Sequence, residues 1–276
     1  MQMKKIVLFL LPLILFSHAQ SALAAIVIEH TTINANATND VTFNHNGGDG
    51  TNDVVILISH RYGATCIDGI TYAGVSATKD STNTDLAYIY RVSGATSGVN
   101  SVYVNFCSGS VGRDNRVVAL TLSGVDETAP VVDDEYKISG ANIATPFYLL
   151  ATSTVDGALS VSAFTASASF SPIVHGGQTN ISSGALGTYI HGIAYEYITT
   201  AGYNPQSWSG GSGTGDYAGV IVVYRPVPVD PPPETSTTSS TTVNVNTQNI
   251  EFILIAIFFI LSFLFFGVVF SPFKKT

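Results

Sequence analysis

Leu86-Ala87-Tyr88-Ile89-Tyr90-Arg91-Val92 sets Leu86, Tyr88, Tyr90 and Val92 against an alternating second set, Ala87, Ile89 and Arg91. A period of two belongs to a β-strand, where successive side chains point to opposite faces. A helix would group apolar residues three and four apart. Further along, Val102, Val104 and Phe106 alternate with Ser101, Tyr103 and Asn105. Such alternation predicts half-buried antiparallel strands.

Working outward, strands are predicted at 26–30, 41–45, 53–59, 69–75, 85–92, 100–106 and 116–122. The second half repeats the pattern at 146–152, 158–164, 172–177, 188–198, 206–209 and 217–224. Turn clusters bound them, such as Asn46-Gly47-Gly48-Asp49-Gly50 and Ser93-Gly94-Ala95. No stretch between residues 25 and 225 has the pattern of a long amphipathic helix. The predicted fold class is all-β: an antiparallel β-sandwich, jelly-roll-like, of about 12 strands, followed by one C-terminal transmembrane helix.

The chain also echoes itself. Leu86-Ala87-Tyr88-Ile89-Tyr90 returns as Ile193-Ala194-Tyr195-Glu196-Tyr197, and Val117-Val118-Ala119-Leu120-Thr121-Leu122 returns as Ala218-Gly219-Val220-Ile221-Val222-Val223. Between them, Ser101-Val102-Tyr103-Val104 corresponds to Ser207-Trp208-Ser209. The spacing, 101 to 107 residues, is too long for a solenoid and points to two related halves. No Pro- or Ser-rich linker parts them, so one shared sandwich is expected. The acidic stretch 125–135 is read as a surface crossover between the halves.

Both ends carry targeting signals. Lys4 and Lys5 precede an apolar run, Ile6–Phe16, and Ser21-Ala22-Leu23-Ala24 offers a small-residue cleavage site. Residues 1–24 are therefore expected to be a signal peptide. Phe252–Phe270 has no charge and is long enough, at about 1.5 Å per residue, to span a bilayer of ~30 Å. Lys274 and Lys275 follow it and favour the cytoplasmic side. The expected layout is an exported β domain over 25–225, a Pro/Thr/Ser-rich stalk over 226–250, a transmembrane helix over 251–271 and a short basic tail over 272–276. The protein is accordingly expected in the cell membrane, single-pass, with its N-terminal domain outside the cytoplasm.

Charge excludes one class of partner. All 19 acidic residues lie in 25–251, against Arg61, Lys79, Arg91, Arg113, Arg116, Lys137 and Arg225, a formal charge near −12. No basic patch is available for phosphates, so nucleic acid is not an expected partner. Cys66 and Cys107 both fall in the exported segment, and an even count in an oxidising compartment predicts a disulfide between them.

Chemical motifs are sparse. Gly213-Thr214-Gly215-Asp216-Tyr217-Ala218 fits a dinucleotide fingerprint on paper, but a strand follows where a helix must open. His30, His45, His60, His175 and His191 lack metal-ligand spacing, and no metal or other cofactor is expected. Asp49, Asn52 and Asp53, and Asp133-Asp134-Glu135, resemble weak calcium loops without the full ligand pattern. No catalytic residue is expected. Aromatics are the one binding feature: Tyr189, Tyr195, Tyr197, Tyr203, Trp208 and Tyr217 crowd the second half. Tyr195 and Tyr197 share a face with Ile193 and are expected to pack. Trp208 and Tyr203, nearer a turn, are the candidate binding residues.

Asp53–Ile58, Ile70-Thr71-Tyr72-Ala73-Gly74-Val75-Ser76-Ala77-Thr78, Tyr88–Val92 and Val117–Asp126, taken in order, resemble a recurrent jelly-roll-like β-sandwich module of uncharacterised bacterial surface, secreted and phage-structural proteins. Ala201–Ser209 matches its late part, and the likeness covers about residues 40–225. The resemblance implies a sandwich and assigns no activity. Together these readings predict a membrane-anchored, surface-exposed protein, not an enzyme, that binds a glycan or a cell-envelope partner. A virion protein, for adsorption or as a minor coat component, is the alternative. A glycan-active hydrolase is third.

Overall fold

The computed structural model describes residues 25–37, 40–60, 67–82, 86–107, 115–139, 147–167, 173–175, 177–186, 189–209 and 217–229. The expected signal peptide and transmembrane helix, and nearly all of the stalk, lie outside them. All regular elements among the described residues are strands, paired antiparallel.

The first half contains β1 (Val27–Ala37), β2 (Val41–Asn46), β3 (Asp53–His60), β4 (Ile67–Tyr72), the short β5 (Val75–Ser76) and β6 (Thr78–Lys79), β7 (Ala87–Val92), β8 (Val99–Phe106) and β9 (Asn115–Ser123). The second contains β10 (Val131–Ser139), β11 (Phe147–Ser153), β12 (Ala158–Ser167), β13 (Ile173–His175), β14 (Thr179–Leu186), β15 (Tyr189–Ile198), β16 (Gly202–Ser209) and β17 (Tyr217–Tyr224).

Each half builds one large and one small sheet. The large sheets have the orders β1-β9-β3-β7-β6 and β10-β17-β12-β15-β14. The small ones run β2-β8-β4-β5 and β11-β16-β13. Position by position the two lists match, with β10 standing for β1, β17 for β9, β12 for β3 and β16 for β8, except that the short β5 has no counterpart. The echo in the sequence is therefore a duplicated topology.

Three cores hold these sheets together. Val54, Ile56 and Ile58 of β3 meet Val102, Val104 and Phe106 of β8 inside the first half. Phe164 of β12 and Ile221 of β17 meet Phe147, Leu149 and Trp208 inside the second. The third core lies between the halves, where the backs of the large sheets pack. It joins Val55, Leu57, Ile89, Val118 and Leu120 to Leu159, Val161, Ile193, Val220 and Val222. The expectation of one shared sandwich is thus corrected: each half has its own core, and a further apolar layer joins them. The absence of a linker reflects that packing.

The central layer also changes the reading of the strands. β3 and β17 are buried at every position, and β7 nearly so, although β7 alternates in sequence. Both of its faces are covered, one by each core. β8 keeps the expected pattern, with Val102, Val104 and Phe106 in and Ser101 and Tyr103 out, because nothing among the described residues covers the far side of its small sheet. A second correction concerns 125–135. From Val131 onward this stretch is strand β10, paired with β17, so only 125–130 crosses over. Its charges concealed the strand.

Candidate binding surface and buried polar clusters

The small sheet of the second half presents an outer face. Along β11 the residues alternate strictly, with Phe147, Leu149, Ala151 and Ser153 inside and Tyr148, Leu150 and Thr152 outside. On β16, Tyr203 stands opposite Thr152 and Pro205 opposite Leu150. Tyr148, Leu150, Pro205 and Tyr203 are all exposed, Tyr203 at 62%. The corresponding face of the first half carries Thr42 and Asn44 of β2 and Ser101 and Tyr103 of β8. Duplicated topology has therefore been given two different surfaces, one hydroxyl-rich and one apolar with aromatic ends.

β11 is an edge strand, and β10 closes it with side chains. Leu150 N–H donates to the Glu135 carboxylate, Thr152 N–H donates to Asp133 Oδ2 at 2.7 Å, and Lys137 Nζ donates to the Tyr148 carbonyl at 3.4 Å. Alternate residues of β10 thus occupy the backbone groups that an unprotected edge would offer to another strand. This is the role of the acidic run, which sequence reading assigned to solvated loops or weak calcium binding. Asp134 accepts from Thr82 N–H and Asp49 accepts from Thr51. Among the described residues no group of His, Cys, Asp or Glu is arranged to hold a metal ion.

The two candidate binding residues separate. Tyr203 is on the outer face. Trp208 is inside, only 1% exposed, and its ring stacks on Phe164 at 5.6 Å between centroids. Gly192 makes the room, since a Cβ there would meet the indole at 2.4 Å. The other half solves the same packing problem in reverse. Tyr88 pairs with Ile58 as Gly192 pairs with Phe164, and Val104 faces Ile70 as Trp208 faces Val174. A large residue on β7 with a small one on β8 has become a small one on β15 with a large one on β16. The buried indole is thereby closed to any ligand. Tyr195 packs on the central core as expected, and Tyr197 Oη accepts a hydrogen bond from Ile28 N–H of the other half at 3.3 Å.

Cys107 follows β8 and is not a free thiol. Its expected partner, Cys66, lies outside the described residues.

Two polar clusters terminate the central apolar layer. At one end Arg91 is buried between two carboxylates, with Asp53 at 3.0 Å and Asp80 at 2.9 Å. Tyr224 of the second half donates to the same Asp80 oxygen at 2.9 Å. Burial works against the charge on Arg91, but Asp80 and Asp53 outweigh it and raise its pKa. Burial, with a hydrogen bond to Glu127, pushes Asp53 up to about 7 against the pull of Arg91. Asp80 is also raised, by burial.

At the other end stand Ser59, Arg116, Thr165, Ser182 and His191, all buried. Ser59 and Arg116 are neighbours across β3 and β9, and Thr165 and His191 across β12 and β15. Ser59 Oγ donates to the Phe164 carbonyl at 2.5 Å and lies 2.8 Å from His191 Nδ1. Its proton being committed, Nδ1 carries the hydrogen of that second bond, which leaves Nε2 as a bare acceptor. Burial, then Arg116 and His60, lower the His191 pKa to about 3, so the ring is neutral. Arg116 donates from Nη1 to Ser182 Oγ. A Ser–His pair suggests nucleophilic catalysis, but this one is buried and no carboxylate among the described residues stands behind it. None of these residues had a sequence signal, because they are 132 positions apart at the extreme, Ser59 to His191.

No protein-family model, no curated protein and no solved structure matches the chain.

Proposed function

We propose that this protein is a membrane-anchored surface protein that binds a glycan or another cell-envelope component through the outer face of β11 and β16. The observation that carries the reading is the contrast between duplicated faces. Where the first half exposes Thr42, Asn44 and Ser101 with a single tyrosine, Tyr103, and Val99 at the strand end, the second exposes Tyr148, Leu150, Pro205 and Tyr203. Tyrosines at an exposed sheet face supply apolar stacking area with a polar tip, which suits the CH faces and hydroxyls of sugars. The surrounding negative charge disfavours polyanions and leaves neutral glycans as the preferred class.

The sheet orders support reading each half as a jelly-roll-like sandwich, since strands from the chain ends and the middle alternate in both sheets. The proposal includes the signal peptide, stalk and membrane span, supported by the apolar run Ile6–Phe16, the Pro/Thr/Ser-rich 226–250 and the uncharged Phe252–Phe270. So does the disulfide between Cys66 and Cys107. Ile67 and Phe106 are register partners; Cys107 follows Phe106, and in the sequence Cys66 precedes Ile67. Non-reducing peptide mapping that finds both thiols open to alkylation would overturn that bond.

The binding reading is tested on a glycan array and on intact envelope material with the purified protein. Tyr203→Ala and Tyr148→Ala are each expected to weaken binding by about tenfold, roughly 1.4 kcal/mol, without changing stability by more than about 0.5 kcal/mol. Absence of binding by a folded wild-type protein would sink the proposal, as would variants that bind like wild type.

A further inference from the structure

Arg116 is a buried cation with no carboxylate paired to it among the described residues. Its Nε, with Thr165 Oγ1 and His191 Nε2, has no hydrogen-bond partner, although all three residues are more than nine-tenths buried. The ion pairs of the described residues all belong to Arg91 at the opposite end of the layer. An uncompensated buried charge costs several kcal/mol, and unused buried donors add to that cost. We propose that this end of the central layer binds one small anion, of the size of chloride or a single carboxylate, with Arg116 Nε–H and Thr165 Oγ–H as its donors.

The alternatives are weaker on physical grounds. A water molecule would satisfy the dipoles but leave the charge. A metal cation would be repelled by the guanidinium. A phosphate calls for the open fork of an arginine, whereas here Nη1 is already given to Ser182. Ser182, at 9% exposure, and Arg116, at 6%, lie nearest to solvent and mark the way in.

The bare lone pair on His191 Nε2 has a consequence. An anion beside it is favoured only once that nitrogen is protonated, so binding draws in one proton. The charged or titratable groups acting on His191 are Arg116 of β9 and His60 of β3. The remaining partners, Ser59, Thr165 and Ser182, are neutral. Binding should therefore tighten as pH falls.

The test is thermal unfolding of the full-length protein in chloride, formate or sulfate, at constant ionic strength set by a salt of a bulky anion. Chloride or formate is expected to raise Tm saturably, by roughly 5–10 °C at a hundredfold excess over Kd, and more at pH 5.5 than at pH 8. Sulfate should do less. Arg116→Gln should abolish the effect and Thr165→Val should reduce it. Should Arg116→Gln fail to fold, bromide-soaked crystals of the wild-type protein decide the matter. An anomalous peak within hydrogen-bond distance of Arg116 Nε supports the site. A water or nothing at that place overturns it, as does an anion dependence that both variants retain.

Discussion

The two ends of the central layer close the same apolar slab with the same kind of residue, and they do it differently. Arg91 sits between Asp53 and Asp80, and Tyr224 reaches over from the other half to share Asp80. Arg116 has only the Ser182 hydroxyl, beside a neutral histidine and an unused threonine. A buried ion pair contributes little net stability but is costly to break, because the survivor is left alone in a poor solvent. The Arg91 cluster is therefore a lock between the halves. The Arg116 cluster is the same element with no counter-charge among the described residues, which is why an anion is proposed there.

Replacing the arginine at each end separates the two roles most sharply. Arg91→Met leaves Asp53 and Asp80 buried and unpaired, and should cost about 3–5 kcal/mol in urea denaturation. A loss under about 1 kcal/mol would mean that the two ends do not differ.

Acid titration gives the next effect. His191 titrates near 3 and His45 near 4 in the folded protein, both below the ordinary 6.5. Burial is the main cause for each. The unfolded chain then binds more protons, so stability falls by about 1.4 kcal/mol per pH unit per histidine as pH drops below ~6.5. Asp53 has the opposite sign. Raised to about 7, it takes up its proton in the fold first, and stability rises as pH falls from there toward 3.8. Asp53→Asn should thus steepen the acid loss seen by equilibrium denaturation between pH 6.5 and 4. An unchanged slope would show that Asp53 is ionised throughout that range.

The smallest effect is expected at the other arginine. Without a binding anion, Arg116→Met removes a charge that nothing compensates, and should change stability by less than about 1 kcal/mol or raise it. A loss as large as that of Arg91→Met would assign Arg116 a structural partner after all.

Much of the fold was legible. Alternation in 86–92 and 100–106 located strands, and the echo of 86–90 in 193–197 and of 117–122 in 218–223 located the duplication. Besides the two-residue β5 and β6, two strands escaped. β10 reads as an acidic loop because Asp133, Glu135 and Lys137 serve the edge of β11 rather than a solvated turn. β14, with Thr179-Asn180-Ile181-Ser182-Ser183-Gly184, has too few apolar residues to show a period. Of the candidate binding pair, Tyr203 reached the surface and Trp208 did not. What decided between them was a glycine on the neighbouring strand β15, 16 residues earlier in the chain, which no local pattern marks.

By itself, then, the sequence determined that these are antiparallel strands in two related halves, because strand periodicity and repetition are local properties of the chain. Only the tertiary structure decided which faces are covered. Whether β7 is half-buried or fully buried depends on a sheet about a hundred residues away, and so does whether Arg91 or Arg116 finds a carboxylate. Burial and the pairing of charge are set by what packs against a residue, and that is known only once the two large sheets have met.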